Sequence, residues 1–494
     1  MANYLMIDFG STFTKLTAVS TETEDIIATA SHFTTVASDI TIGYNNALKL
    51  LYEKIGKEIK FDKIIACSSA AGGLKMAAIG LIEELTVEAA KRVCLGAGAR
   101  VDLVVNHHIT NDEIKKIFDA SIDIILLAGG TDGGNEECVL YNMEKIGQAL
   151  QNSEKKIPIV YAGNKCCSDQ IKEMFEKYGV DGYVVENVMP KINALNIDNA
   201  RDKIREIFLN NIIQAKGIKK IENTIDKVIL PTPEAVLRGA TLLSKGYMDE
   251  DGFGELCLVD IGGATTDFYS ISSTGAKRSD VVVKGLEEPY AKRTVEGDLG
   301  MRYSAIGVSK ALTAEEIQLL NKDYSENGNE ETAKRNRYHL DYAKIDNLDI
   351  MEEAKRRNRD VDQVYHEGKE LYVDEILASI CVDKACGRHA GHLQEIYSPL
   401  GTIYNQTGKD LTQVRCVIGT GGVLVNSYHP KTILSKLEGN ISNIMELRPQ
   451  HALYMLDKDY IMASMGLLSD IDPMLALKIM KKHVVETFDK YSDK

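Results

Sequence analysis

The sequence has no surplus of basic residues: 58 lysines and arginines stand against 72 aspartates and glutamates, a formal charge of −14. A nucleic-acid binder needs cations to displace counterions from the phosphate backbone, so the balance argues against that class. It leaves room for one nucleotide held by backbone N–H groups and a metal. Long hydrophobic runs are also missing. The longest, such as 122–128 (IDIILLA), fall far short of the roughly 20 residues that a membrane span needs. The first residues carry no basic stretch, apolar core or cleavage site of a leader, so a cytoplasmic setting without membrane contact is expected. There is no CxxC pair among the nine cysteines. Cys67, Cys94, Cys257 and Cys416 lie in strand-like or helical runs and read as reduced, buried thiols. Tryptophan is absent and prolines number nine; neither excludes a function.

What is present is enough for more than one core. At 494 residues, 44% hydrophobic and 26% charged, the composition is that of a globular chain of several domains. The chain is organised around 255–271, ELCLVDIGGATTDFYSI. An apolar run ends in Asp260. Gly262, Gly263, Thr265 and Thr266 follow, then Asp267 and a second β-prone run. This pattern reads as strand, tight turn, strand. Glycines let backbone N–H groups approach a ligand, and successive N–H groups in a turn form a nest for an anion. An aspartate at the strand end would repel phosphate unless a cation stands between them, which predicts Mg²⁺ near Asp260. The same design opens the chain, in 4–19, YLMIDFGSTFTKLTAV, with Asp8, Gly10, Ser11, Thr12 and Lys15. Two such hairpins predict two related halves that converge on one nucleotide.

MIDFGSTFTK and LVDIGGATTD resemble the phosphate-1 and phosphate-2 motifs of the actin-like ATPase (ASKHA) superfamily, which includes actin and the sugar kinases. Over its whole length the sequence resembles the MutL or GlmL family, the L proteins that accompany adenosylcobalamin-dependent glutamate mutase. The resemblance implies an α/β fold of duplicated RNase H-like domains with mixed sheets flanked by helices and inserted subdomains. It also implies a chaperone or reactivating factor for a cobalamin-dependent mutase, with ATP and Mg²⁺ as cofactors. Superfamily members often have a third glycine where Ala264 stands; this departure lowers the expected rate of hydrolysis more than binding.

Taken in order, 26–33 reads as a third strand, 41–59 as a helix, 63–67 as a strand, 75–97 as helical or mixed, and 101–105 as a strand. A third glycine-rich stretch, 124–135 (IILLAGGTDGGN), follows a buried strand and places Gly129, Gly130, Thr131 and Asp132 where ligands bind open α/β sheets. Strands at 157–162 and 182–188 flank a helix at 168–178, the pattern of an inserted α/β subdomain. Pro231, Pro233 and the polar 246–254 read as a linker. The expected halves are therefore 1–250 and 251–494. In the second half, 281–285 is expected to be the third strand beside the phosphate-2 hairpin. The acids of 296–300 (EGDLG) read as solvated, and the charged stretch 310–370 as an outward helical lobe. A fourth glycine-rich stretch, 415–425 (RCVIGTGGVLV), ends a β-branched strand in Gly419, Gly421 and Gly422. In the superfamily such a loop packs against adenosine. A helix at 459–468 carries the small residues Ala463, Ser464 and Gly466, which permit close packing.

The candidate site follows. Asp8 and Asp260 are the metal and catalytic acids. Gly10, Ser11, Thr12, Gly262, Gly263, Thr265 and Thr266 grip phosphate; Lys15 is a candidate whose side chain points toward or away from the site depending on register; and Gly419, Gly421 and Gly422 face the nucleoside. Either Asp267 or Asp132 orients the attacking water. Two metal readings fail. Cys386, His389 and His392 fall on one helix, 373–393, without a further ligand. His107 and His108 are neighbours in a strand and so point to opposite faces. Other functions of the same fold remain open: a small-molecule kinase, an ATP-driven activator of a 2-hydroxyacyl-CoA dehydratase, or a filament protein. The adjacent Cys166 and Cys167 are not spaced as iron–sulfur ligands, which disfavours the activator. The oligomeric state is left open.

Overall fold

Apolar, β-branched runs alternate with helical ones, and in the computed structural model the strands sort into sheets whose order repeats. The structure describes residues 2–10, 12–34, 40–68, 74–215, 225–321, 337–338, 348–398, 401–439 and 445–489. The strands of the first half are β1 (Asn3–Phe9), β2 (Phe13–Ser20), β3 (Asp25–Phe33), β4 (Lys63–Ser68), β5 (Lys75–Gly80), β6 (Arg100–Asn106), β7 (Ile124–Leu127), β8 (Ile159–Tyr161), β9 (Gly182–Val184) and β10 (Lys227–Pro231). The helices among them are α1 (Ile40–Ile55), α2 (Glu88–Gly96), α3 (Asn111–Asp119), α4 (Glu137–Gln151), α5 (Ser168–Tyr178), α6 (Asp198–Ala215) and α7 (Thr232–Lys245). The second half contains β11 (Gly246–Tyr247), β12 (Glu250–Asp251), β13 (Leu256–Ile261), β14 (Thr266–Ile271), β15 (Val281–Val283), β16 (Ala291–Glu296), β17 (His392–Ser398), β18 (Gly401–Thr407), β19 (Cys416–Thr420), β20 (Leu453–Asp457) and β21 (Val484–Glu486).

Two sheets carry the architecture. One has the order β10-β4-β1-β2-β3, the other β16-β14-β13-β19-β20-β21. Numbered from its own first strand, the first runs 3-2-1-4-5 and the second 3-2-1-4-5-6: each has a hairpin, a strand beside its outer arm and two crossover strands on the other side, and the second adds an antiparallel edge strand, β21. In the first, β4 lies parallel to β1 and to β10. In the second, β13 pairs antiparallel with β14 and parallel with β19, which is parallel to β20. Parallel neighbours need crossovers, and the helices that supply them bury the sheet faces. The fold is the duplicated, actin-like α/β arrangement expected from the two motifs. By contacts the residues group into two units: Asn3–Ala18 with Ala30–Glu234, and Met1–Ala2 and Val19–Thr29 with Ala235–Lys494.

Inserted between β4 and β10 is a third sheet of order β6-β5-β7-β8-β9, parallel throughout. Its own numbering is 2-1-3-4-5, a doubly wound order whose switch point lies between β5 and β7. Ile79, Leu127, Ile159 and Met143 are in its core. In the other unit, Val259, Phe268, Ile376, Val417 and Leu434 share one core beneath the second hairpin. No helix among the described residues is long and apolar enough to cross a membrane.

Several sequence expectations change. The third strand beside the second hairpin is β16, paired antiparallel with β14. The 281–283 segment instead joins β18 in a separate sheet. The sequence AKRTVE hides this strand because its buried arginine, Arg293, is neutralised by an acid on β14. Pro231 and Pro233 do not mark a linker. Pro231 ends β10 and Pro233 lies in the first turn of α7, where its missing N–H costs nothing. Residues 246–251 form a short antiparallel hairpin. The 75–97 stretch opens with a strand before α2. The helix expected at 373–393 runs Gly368–His389, so His392 stands on β17, apart from Cys386 and His389. Most of 322–347 in the charged region, as well as Ser11, lies outside the described residues.

Candidate functional site

In the first hairpin the turn closes by a bond from Gly10 N–H to Phe13 O at 3.1 Å. A Cβ on Gly10 would stand 2.5 Å from that oxygen, so only glycine fits. Asp8 is the next-to-last residue of β1, 3% exposed. Thr232, at the start of α7, donates its hydroxyl to Asp8 Oδ1 at 2.6 Å, and Lys15 Nζ stands 3.7 Å from Asp8 Oδ2. Lys15 therefore turns toward the acid of its own hairpin, resolving the register that the sequence left open. The Cys67 thiol faces the same carboxylate at 3.6 Å; burial first, then the Asp8 charge, pushes its pKa well up. The Thr12 carbonyl accepts from Thr34 N–H at 2.7 Å.

The second hairpin is built alike. Gly262 N–H donates to Thr265 O at 2.9 Å. The turn is braced from behind: the Gly262 carbonyl accepts from Met301 N–H and the Gly263 carbonyl from Arg302 and Tyr303 N–H. Gly300 packs on Ala264, leaving no room for a Cβ of its own, and Ser304 Oγ donates to Ala264 O at 2.6 Å. The extra methyl of Ala264 thus sits in a turn already held from two sides. Asp260 and Asp267 are direct partners across β13 and β14, and like charges so placed repel. Arg293 meets Asp267 Oδ1 at 2.6 Å, and the Tyr460 hydroxyl donates to Asp260 Oδ1 at 3.2 Å. Asp267 also accepts from Thr265 Oγ1 at 3.4 Å. Thr266 stands apart: it is buried and its hydroxyl donates to Leu299 O at 2.8 Å.

The fourth glycine stretch lies beside this hairpin. Asp260 pairs in register with Thr420 of the adjacent parallel strand. Gly421, at φ +110°, passes so close that a Cβ would lie 2.4 Å from Ile261 O, whereas Gly422 has open space on its Cβ side. Gly419 lies over Leu424 and Leu434. Thr420 Oγ1 donates to Asp457 Oδ2, and the buried Asp457 also accepts from Ile461 and Met462 N–H, tying the loop to the Met462–Leu468 helix. The structure thus brings Asp260, Gly262, Gly263, Thr265, Asp267, Gly421 and Gly422 to one end of one sheet.

Glu296 corrects another expectation. It ends β16 opposite Thr266 and binds Arg388 at 2.7 Å rather than standing in solvent; Asp298 meets the same arginine at 2.6 Å. Burial raises the Glu296 pKa, with Arg388 opposing, while Arg388 lowers that of Asp298.

The third glycine stretch is tied to the segments around Asn164 and Asn187. Asp132, Gly133 and Gly134 N–H donate to Pro190 O, Asn164 Oδ1 and Thr131 O. Asp132 Oδ1 accepts from Asn187 and from Lys165 N–H. Gly129 and Gly130 take φ of +143° and +71°, which shape the loop. The N–H groups of Asp132, Gly133 and Gly134 are thus used in holding the loop to its neighbours.

Sequence reasoning missed Thr232, Tyr460 and Arg293, and read Glu296 as solvated. Thr232 had a signal, since Thr before Pro and Glu is a helix-start pattern. Tyr460, 200 residues from Asp260, had none.

The chain matches the family model described as MutL protein over residues 4–484. It is 47% identical over 487 residues to "Protein MutL" of Clostridium tetanomorphum, covering 98% of this chain and 100% of the relative. Among solved structures it is similar to a xylulose kinase from Lactobacillus acidophilus, with TM-score 0.33 and 8% identity over 99% of this chain and 93% of that one. An acetate kinase from Porphyromonas gingivalis has TM-score 0.27 and 10% identity over 94% of this chain and 99% of that one. On the family match and the identity along nearly its whole length, the chain belongs to the MutL protein family.

Proposed function

We propose that the chain binds ATP with Mg²⁺, hydrolyses it, and uses the cycle as a chaperone or reactivating factor for an adenosylcobalamin-dependent mutase. The observation that carries the nucleotide reading is the shared end of β13 and β19. There Asp260, which precedes the Gly–Thr turn, pairs in register with Thr420 of the Gly–x–Gly–Gly loop, and Gly422 is open on its Cβ side. The donor set fits the group: hard carboxylate oxygen at Asp260 for Mg²⁺, turn N–H groups and Thr265 for phosphate, and glycine backbone for a base and ribose. The first hairpin carries groups of the same kind, with Asp8 beside Lys15. Bound Mg²⁺ would neutralise phosphate charge. Arg293 holds Asp267, so its carboxylate is fixed for orienting water rather than free to swing.

The mutase role rests on the family resemblance, and its test is separate. Calorimetry with Mg-ATP reads the site: uptake by the native chain and at least a tenfold loss in Asp260→Ala are expected, and no uptake would end the reading. Pulldown from native extract, followed by ATP-dependent recovery of an inactivated cobalamin mutase, reads the role. Recovery that ignores ATP or survives Asp260→Ala would overturn it.

A further inference from the structure

Beyond the nucleotide site, the inserted sheet places two imidazoles and a thiol together. Strand β6 ends at Asn106, so His107 and His108 are not strand neighbours as the sequence reading held. His107 adopts φ +61°, and its N–H donates to Gly80 O at the end of β5. A left-handed residue reverses the alternation of a strand, so both rings can share one side. They stand, exposed, over the buried thiol of Cys138 in the first turn of α4. The ligating atoms of all three residues lie within 4.8 Å of one another.

The dipeptide is held there by a side chain from the same helix. Asn142, 1% exposed and one turn beyond Cys138, donates to His107 O at 2.8 Å and accepts from Ile109 N–H at 2.8 Å. It therefore clamps both ends of the His107–His108 turn, and its amide also approaches Cys138 Sγ at 3.8 Å. The Tyr141 ring lies 4.6 Å from that of His108. Such outer partners orient ligands before the metal arrives. The cluster sits at the carboxyl ends of β5 and β6, one strand from the β5/β7 switch point.

We propose that His107, His108 and Cys138 bind a borderline-soft divalent metal ion of the zinc class, with a fourth position open to solvent. Two imidazoles and one thiolate match that class, while Mg²⁺ and Ca²⁺ take oxygen ligands. On binding, the Cys138 thiol gives its proton to solvent. The site does not depend on the nucleotide reading, because no residue is shared.

The test uses the tag-free full chain, stripped with chelator and titrated with Co²⁺ as a spectroscopic stand-in, then with Zn²⁺. One equivalent of Co²⁺ should bring up a thiolate-to-cobalt charge-transfer band that one equivalent of Zn²⁺ removes. Cys138→Ser should abolish the band. His107→Asn keeps a residue that tolerates the left-handed backbone and should weaken affinity by about a hundredfold or more, with an unchanged thermal melt showing that it folds. No stoichiometric uptake by the native chain, or a band that survives Cys138→Ser, would overturn the site.

Discussion

A buried histidine gives the chain an acid limit of its own. His389 is fully buried, with Ser270 Oγ at 2.8 Å from Nε2 and Thr294 Oγ1 at 2.8 Å from Nδ1. Burial holds its pKa well below the ordinary 6.5, and the charges of Lys292 and Lys409 add to the effect. The native chain therefore keeps the ring neutral where the unfolded chain takes up a proton. Below pH 6.5 the unfolded state binds more protons, so stability falls as pH falls, by up to about 1.4 kcal/mol per unit from this group. Urea melts at pH 7.5 and 5.5 should show the loss, and His389→Gln, which has no group that titrates in this range, should lack that component. Equal acid loss in the two proteins would show that the ring contributes nothing. Nothing in the sequence marked His389 for this, because its partners come from strands 119 and 95 residues away.

Glycine at helix crossings belongs to the scale of elements. A Cβ on Gly466 would lie 1.8 Å from Ala235 O, and one on Gly239 would lie 2.7 Å from Met462 O. Two helices thus meet backbone to backbone. Helix propensity alone favours alanine over glycine by about 1 kcal/mol, whereas overpacking costs about 1–3 kcal/mol or more. Gly466→Ala should therefore lower the melting temperature; a rise would mean that propensity wins and the crossing is loose. The small residues of 459–468 were legible as close packing because the requirement is local. So were the hairpins, where acid, glycine and threonine fall between apolar runs. Strand β16 was not. Its charges argue for solvent until Arg293 is seen against Asp267, a contact no local pattern encodes. The His107–His108 pair failed in the same way, since a single left-handed residue changes which way a ring faces.

For the molecule as a whole, charge sets what it avoids. At −14 it should show no binding to duplex DNA by fluorescence anisotropy at 0.15 M salt, since specific and non-specific contacts alike need phosphate-neutralising cations. Affinity that falls steeply with added salt would reveal a basic face hidden in the average. The five-strand order that both central sheets share, 3-2-1-4-5, has a consequence of another kind. A symmetric homodimer must place identical residues at equivalent positions in its two subunits. Tandem copies on one polypeptide are released from that rule. The equivalent acids have already diverged: Asp8 keeps company with a lysine and a threonine, whereas Asp260 faces a tyrosine and lies across from a second carboxylate. Asymmetry of that sort lets one copy specialise without its twin having to follow.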